Sequence, residues 1–165
     1  MPNHNAVASL SILAIPALMG CTPETVEGAF EGPDGATTVE TEQDEVLVAM
    51  THLRVRNLPG PGGKFGDHAN RIGNYLYEET PDGWLGAAFR NVGQLDWWTV
   101  TVWESEEAMM DFVVSEPHVS AMADLGVVAA AAESRHEWMA PEEAPPAWAE
   151  IVELLEVDAR FVYVR

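Results

Sequence analysis

The sequence has almost no lysine and a single cysteine. Lys64 is the only lysine, and 8 basic residues stand against 27 acidic ones, a formal net charge of -19. A nucleic-acid-binding surface needs a basic stripe to neutralise phosphates, so nucleic acid is excluded as a partner. Attraction to anionic lipid fails on the same ground. The acidic excess reads as a solvated surface that favours solubility. With Cys21 alone, an intrachain disulfide and a cysteine-based zinc site are both excluded. The sequence also lacks an apolar run long enough to span a bilayer. It has no phosphate-binding glycine loop, dinucleotide fingerprint, nucleophile elbow or paired-histidine zinc helix. No motif establishes a reaction by itself.

What is present suffices for one domain with extensions: 165 residues, 47% of them apolar. Residues 7 to 19 form a short apolar run that ends at Leu18-Met19-Gly20-Cys21. The run fits a signal-peptide core, and the four residues at its end resemble a bacterial lipobox. On that reading residues 1–20 are a leader and Cys21 is the lipidated residue, with Thr22 next to it. The protein would sit in the cell envelope, lipid-anchored on the periplasmic face of the outer membrane, touching the membrane only through that anchor. The n-region, Met1 to Asn5, departs from the pattern in having no Lys or Arg. Residues 21–45 read as an acidic flexible linker, with a short hairpin packed on the domain as the other option. They hold three glycines, two prolines and eight acidic residues, which bury too little to offset ordering.

The domain proper is read at 46–140. Val46 to Arg56 alternates as a strand, with Val46, Val48, Met50 and His52 on one face. Phe65 to Glu79 reads as an amphipathic helix with Phe65, Ala69, Ile72, Tyr75 and Leu76 inward and His68 solvated. Trp84 to Val92 and Leu95 to Trp103 read as a hairpin around Gly93-Gln94. Leu95, Trp97, Thr99, Thr101 and Trp103 share one face of the second strand. Ser105 reads as the cap of a helix whose first turn carries Glu106 and Glu107. Pro117 opens a further short helix on which His118, Ala121 and Met122 share a side. The alanine-rich 127–132 reads as a fraying helix end and Glu133 to Met139 as the fourth strand. Residues 141–165 read as a C-terminal helix and short strand. The order strand, helix, strand, strand, helix, strand is that of an α+β, ferredoxin-like βαββαβ antiparallel sheet.

Trp103-Glu104-Ser105 closing a strand, then Phe112, then Ser115-x-x-His118-x-x-Ala121-Met122, resembles the second half of an antibiotic-biosynthesis-monooxygenase (ABM) domain. The resemblance spans residues 45 to 140 and is strongest at 97 to 122. It implies a dimeric α/β barrel, hence a homodimer, with a cavity between sheet and helices that takes a small flat apolar ligand. It implies a monooxygenase that is either cofactor-free or haem-linked. His118 is then the first candidate for a catalytic base or haem ligand and His52 the second. Trp97, Trp103, Phe112 and Met122 would contact the ligand. Against the haem-degrading branch, Phe112 stands where that branch has Trp, Met122 where it has His, and Thr51 or His52 where it has Asn. The residues alone leave other options: a non-catalytic haem- or hydrophobe-binding lipoprotein, or an interaction module whose cavity its own side chains fill. In that last case His118 packs in the core and donates to a backbone carbonyl. A metal centre of His52, His118 and His136 is not required by any spacing, so none is expected.

Overall fold

A computed structural model describes residues 26–27, 30–159 and 161–164. Cys21 and the residues expected to form a leader lie outside the described residues. The elements are β1 (Val26–Glu27), β2 (Val46–Val55), α1 (Pro61–Asn74) and β3 (Trp84–Val92), then β4 (Asp96–Trp103), α2 (Glu106–Val113) and α3 (Glu116–Ala123), and finally α4 (Leu125–Val128), β5 (Ala129–Met139), α5 (Trp148–Asp158) and β6 (Phe161–Val164). One antiparallel sheet runs in the order β1-β3-β4-β2-β5-β6. Its middle four strands follow the βαββαβ order expected, so the fold is α+β and ferredoxin-like.

Local chemistry places the elements. Ser105 Oγ accepts from the Ala108 N–H at 3.1 Å and stops the strand at Trp103 by capping α2. Pro61 opens α1 four residues before the expected start, because proline in the first turn forfeits no hydrogen bond. The buried stripe of α1 also differs. It runs through Phe65, His68 and Ile72 and on to Leu76 in the π-helical turn Tyr75–Glu79, while Ala69 is exposed. The alanines at 129–132 are strand and not helix end, since pairing with β2 overrides alanine's helical preference.

The sheet has one side under α1–α4 and a reverse side under α5. On the helix side Leu47, Leu76, Trp84, Ala87, Trp103 and Met109 form one buried cluster. On the other side Val46, Val48, Met50, Val100 and Val102 are sealed by Phe30 and by Ile151 and Leu155 of α5. Part of the segment read as a flexible linker is therefore docked. β1 pairs with β3 and Glu31 bridges to Ala87. Gly86 has φ +155°, and a Cβ there would lie 2.3 Å from Phe30 Cζ, so glycine is what admits the docked phenyl ring. Burial, with Glu31 beside it, pushes the Tyr77 hydroxyl up to about 12. The position of α5 bears on dimerisation: two such sheets cannot pair face to face through this side without displacing it. No helix among the described residues is long and apolar enough to cross a membrane.

Candidate functional site: the helix side of the sheet

Strand register sets out the floor. Across β3, β4, β2 and β5, one row is Ala87, Thr101, Ala49 and His136, and the next is Phe89, Thr99, Thr51 and Ser134. A third row is Asn91, Trp97, Leu53 and Ala132. Most of these side chains are small or hydroxylated. Although they lie on interior strands under helices, all but Ala87 and Ala132 remain half-buried, whereas the valines on the reverse side are sealed. The floor is thus less tightly covered than the reverse side.

The helices account for this. α1 meets the sheet near its ends, with Phe65 against Trp97 at 4.9 Å between rings and Tyr75 and Leu76 near Trp84 and Trp103. Between those ends α1 is tied to the next helices by polar contacts. Lys64 Nζ and His68 Nε2 both donate to Asp124 Oδ2 at 2.9 Å, and Arg71 donates to Ser120 Oγ at 3.2 Å and to Glu116. The hydrogen bonds from Lys64 and then His68 hold the Asp124 carboxyl below the usual carboxylate range. His68, expected in solvent, is buried by this arrangement.

His118 sits at the wall. Its Nδ1–H donates to the Val113 carbonyl at 2.9 Å, and its ring meets the edge of Phe112 at 4.9 Å. Phe112 in turn stacks on Trp103 at 5.3 Å. Burial lowers the affinity of His118 for a proton, against the opposing effect of the Val113 carbonyl. The ring is therefore neutral, with its tautomer fixed and Nε2 left as the lone-pair nitrogen. Because its folded pKa lies below the unfolded value of about 6.5, the unfolded chain binds the extra proton. The stability tied to the neutral ring is complete above that value and lost as pH falls through the folded pKa. Urea unfolding at pH 7.5 and 5.5 should show a smaller loss of stability on acidification in His118→Gln than in the wild type.

The other expected site residues separate. Trp103 is wholly buried, its Nε1–H donating to Thr101 Oγ1 at 2.9 Å, so it is core and not pocket lining. Trp97 shares its face but lies six residues away along β4, about 20 Å at 3.3 Å per residue, and packs on Phe65. One small ligand cannot contact both indoles. Met122 points outward and is 44% exposed, because α3 turns its other side to α1. Phe112 does line the helix side, wedged between His118 and Trp103.

His52 lies on the reverse side of the sheet from His118, so the two cannot serve one site. Its Nδ1 meets Glu133 Oε1 at 2.8 Å and its Nε2 meets Asp96 Oδ1 at 3.1 Å, while the ring stacks on Trp98 at 3.8 Å. Both contacts are hydrogen bonds to carboxylates only if the ring is an imidazolium. Each nitrogen faces a different carboxylate, so the three groups cannot meet on one ion. Among the described residues no group of three His, Cys, Asp or Glu is placed to hold a metal. His136, on the floor row and half-buried, was less visible from sequence. Its signal was the alternation with Trp138, which puts both on the helix side.

Compared by sequence, the chain matches no protein family and no curated protein. Compared by structure, it is similar to a candidate monooxygenase from Fusobacterium nucleatum, with a TM-score of 0.51 and 9% identity over 87% of this chain and 57% of that one. A candidate monooxygenase from Lactobacillus acidophilus gives a TM-score of 0.50 and 10% identity over 72% of this chain and 52% of that one. A candidate antibiotic biosynthesis monooxygenase from Caulobacter crescentus gives 0.47 and 13% over 59% and 90%. At such identities the likeness to the first two shows the α+β fold alone and leaves the chemistry to the residues.

Proposed function

We propose that the protein binds a small, flat, largely apolar molecule in the trough between the sheet and α1–α3, and oxygenates it without a bound cofactor. The observation that carries this reading is the half-open floor of alanine, threonine and serine side chains under the helices, beside a sheet whose reverse side is sealed. Phe112 gives an apolar wall beside His118, over the rows of Thr101 and Thr99. His118, neutral and with Nδ1 committed to Val113, is the base. In this chemistry Nε2 takes a proton from an activated CH₂ group. The carbanion gives an electron to O₂, the resulting radicals join as a C–O bond, and a proton completes a hydroperoxide. Loss of water then leaves a carbonyl, so that CH₂ and O₂ become C=O and H₂O. The protein contributes positioning, proton transfer and exclusion of water.

Anthrone serves as the probe substrate, with oxygen uptake and tryptophan quenching as readouts. Wild type should quench saturably and raise uptake above the rate without protein. Thr99→Trp, which fills the floor, should abolish both. His118→Ala should keep binding and lose about 10²-fold or more in turnover. Uptake that ignores both substitutions would sink the proposal.

Binding without turnover in the wild type would favour a non-catalytic hydrophobe-binding protein. The wedge of Phe112 between His118 and Trp103 lends weight to that second reading. The envelope location belongs to the proposal as well: cleavage before Cys21 and its acylation are supported by the apolar run and by Leu18-Met19-Gly20-Cys21. A homodimer would have to carry α5 in its interface or use another surface.

A further inference from the structure

α1 covers the helix side of the sheet with little apolar burial to hold it there. Its buried residues are Pro61 and His68 alone, while Phe65 and Ile72 stay half-buried. Leu76, at 1% exposure, belongs to the π-helical turn Tyr75–Glu79 that follows. The helix is also weak in itself. Gly62, Gly63, Gly66 and Gly73 lie within it, and a Cβ at any of them would meet nothing within 4 Å. None of the four has a positive φ. Neither packing nor backbone conformation therefore calls for glycine at these positions. What each glycine does there is weaken the helix, about fourfold in the folding equilibrium relative to alanine.

Polar bonds supply the hold instead. Lys64 Nζ and His68 Nε2 share Asp124 Oδ2, and Arg71 reaches Ser120 and Glu116. The same His68 ring keeps Nδ1 buried with no hydrogen-bond partner among the described residues. Water would satisfy that nitrogen if the helix left the sheet, so the closed state carries a cost that opening relieves. Both ends of α1 suit movement. Gly60, with φ +101°, precedes it in the exposed stretch 57–60. At the other end the π-helical turn interrupts the α-helical hydrogen-bond ladder.

We propose that α1 is a lid that opens by melting. It unfolds locally from the helix side while the sheet stays intact, and so gates access to the half-buried floor at Thr99, Thr51 and Ser134. Asp124 is the latch, through its bonds from Lys64 and His68, and the glycines keep the closed helix close to opening. Such opening is independent of what the floor binds and of whether oxygenation occurs there.

Hydrogen–deuterium exchange of the full chain reads the opening. Relative to their intrinsic rates, α1 amides should exchange about tenfold or more faster than those of β2, a strand paired on both sides. Low urea should leave the α1 rates nearly unchanged, because a local opening exposes little surface. Gly66→Ala with Gly73→Ala should slow α1 exchange about tenfold or more. Asp124→Ala should speed it about tenfold or more. To read access, Thr99→Cys is placed in a Cys21→Ser background and its reaction with a water-soluble thiol reagent is followed. That rate should fall with the alanine pair and rise with Asp124→Ala. If α1 exchanges with the rate and urea dependence of β2, or ignores the alanine pair or Asp124→Ala, the proposal is overturned. A thiol rate that ignores both changes would show that α1 is no gate, and overturn it as well.

Discussion

Trp103→Ala is expected to lower the free energy of unfolding by about 3–5 kcal/mol, the range for emptying a large aromatic site. Trp103 has 0% exposure and packs in one cluster with Leu47, Leu76, Trp84 and Met109. Its ring stacks on Phe112, and its N–H is satisfied by Thr101. The strand end, the α2 cap and the wall that holds His118 therefore share this one side chain. In a chain of this size the loss corresponds to a fall in Tm of about 10 °C. Met122→Ala is the control. It is exposed, and should change stability by no more than about 0.5 kcal/mol. Urea unfolding of the two variants side by side decides it: a Trp103→Ala cost near that of Met122→Ala would mean that the indole is not core.

The second large effect lies on the reverse side of the sheet. Ile151→Ala and Leu155→Ala each remove a side chain with at most 1% exposure, and each should cost about 2–5 kcal/mol. The two positions are a turn apart on α5 and share neighbours, so their effects will not simply add. In the double variant α5 should detach and uncover Val46, Val48 and Met50, an apolar strip along the central strand. Light scattering should then report self-association, as expected when such a strip meets water. Val157→Ala on the same helix, at a position 84% exposed, should leave mass and stability unchanged. A double variant with the mass and the stability of the wild type would show that α5 does not seal this side.

Much of the fold was legible in local pattern. The alternation of Val46 to Val55, the hairpin at Gly93-Gln94 and the Ser105 cap are decided by residues close in sequence, so their positions could be read directly. The same holds for the C-terminal helix and the short strand after it. Misreadings arose where a distant partner decides. His68 looks polar and solvated on a helical wheel, but Asp124 draws it inward. The alanines of 129–132 have helical preference, but β2 claims them as strand. Phe30 sits in an acidic, glycine-rich stretch that looked like a spacer, but Gly86 leaves a place for it.

The candidate site was legible residue by residue and not as a constellation. Sequence picked out His118 and Phe112, and they do touch. It could not tell which face of the sheet His52 would take relative to the helices, because alternation fixes relative faces along a strand and not which layer covers them.

By itself, then, the sequence determined the antiparallel α+β order and the acidic excess, because composition and short-range periodicity are local properties. Only the tertiary structure decided that the two histidines are divided by the sheet, that α5 closes one side, and that the floor on the other is only half-buried. Those outcomes depend on helix-to-sheet and strand-to-strand contacts between segments far apart in the chain.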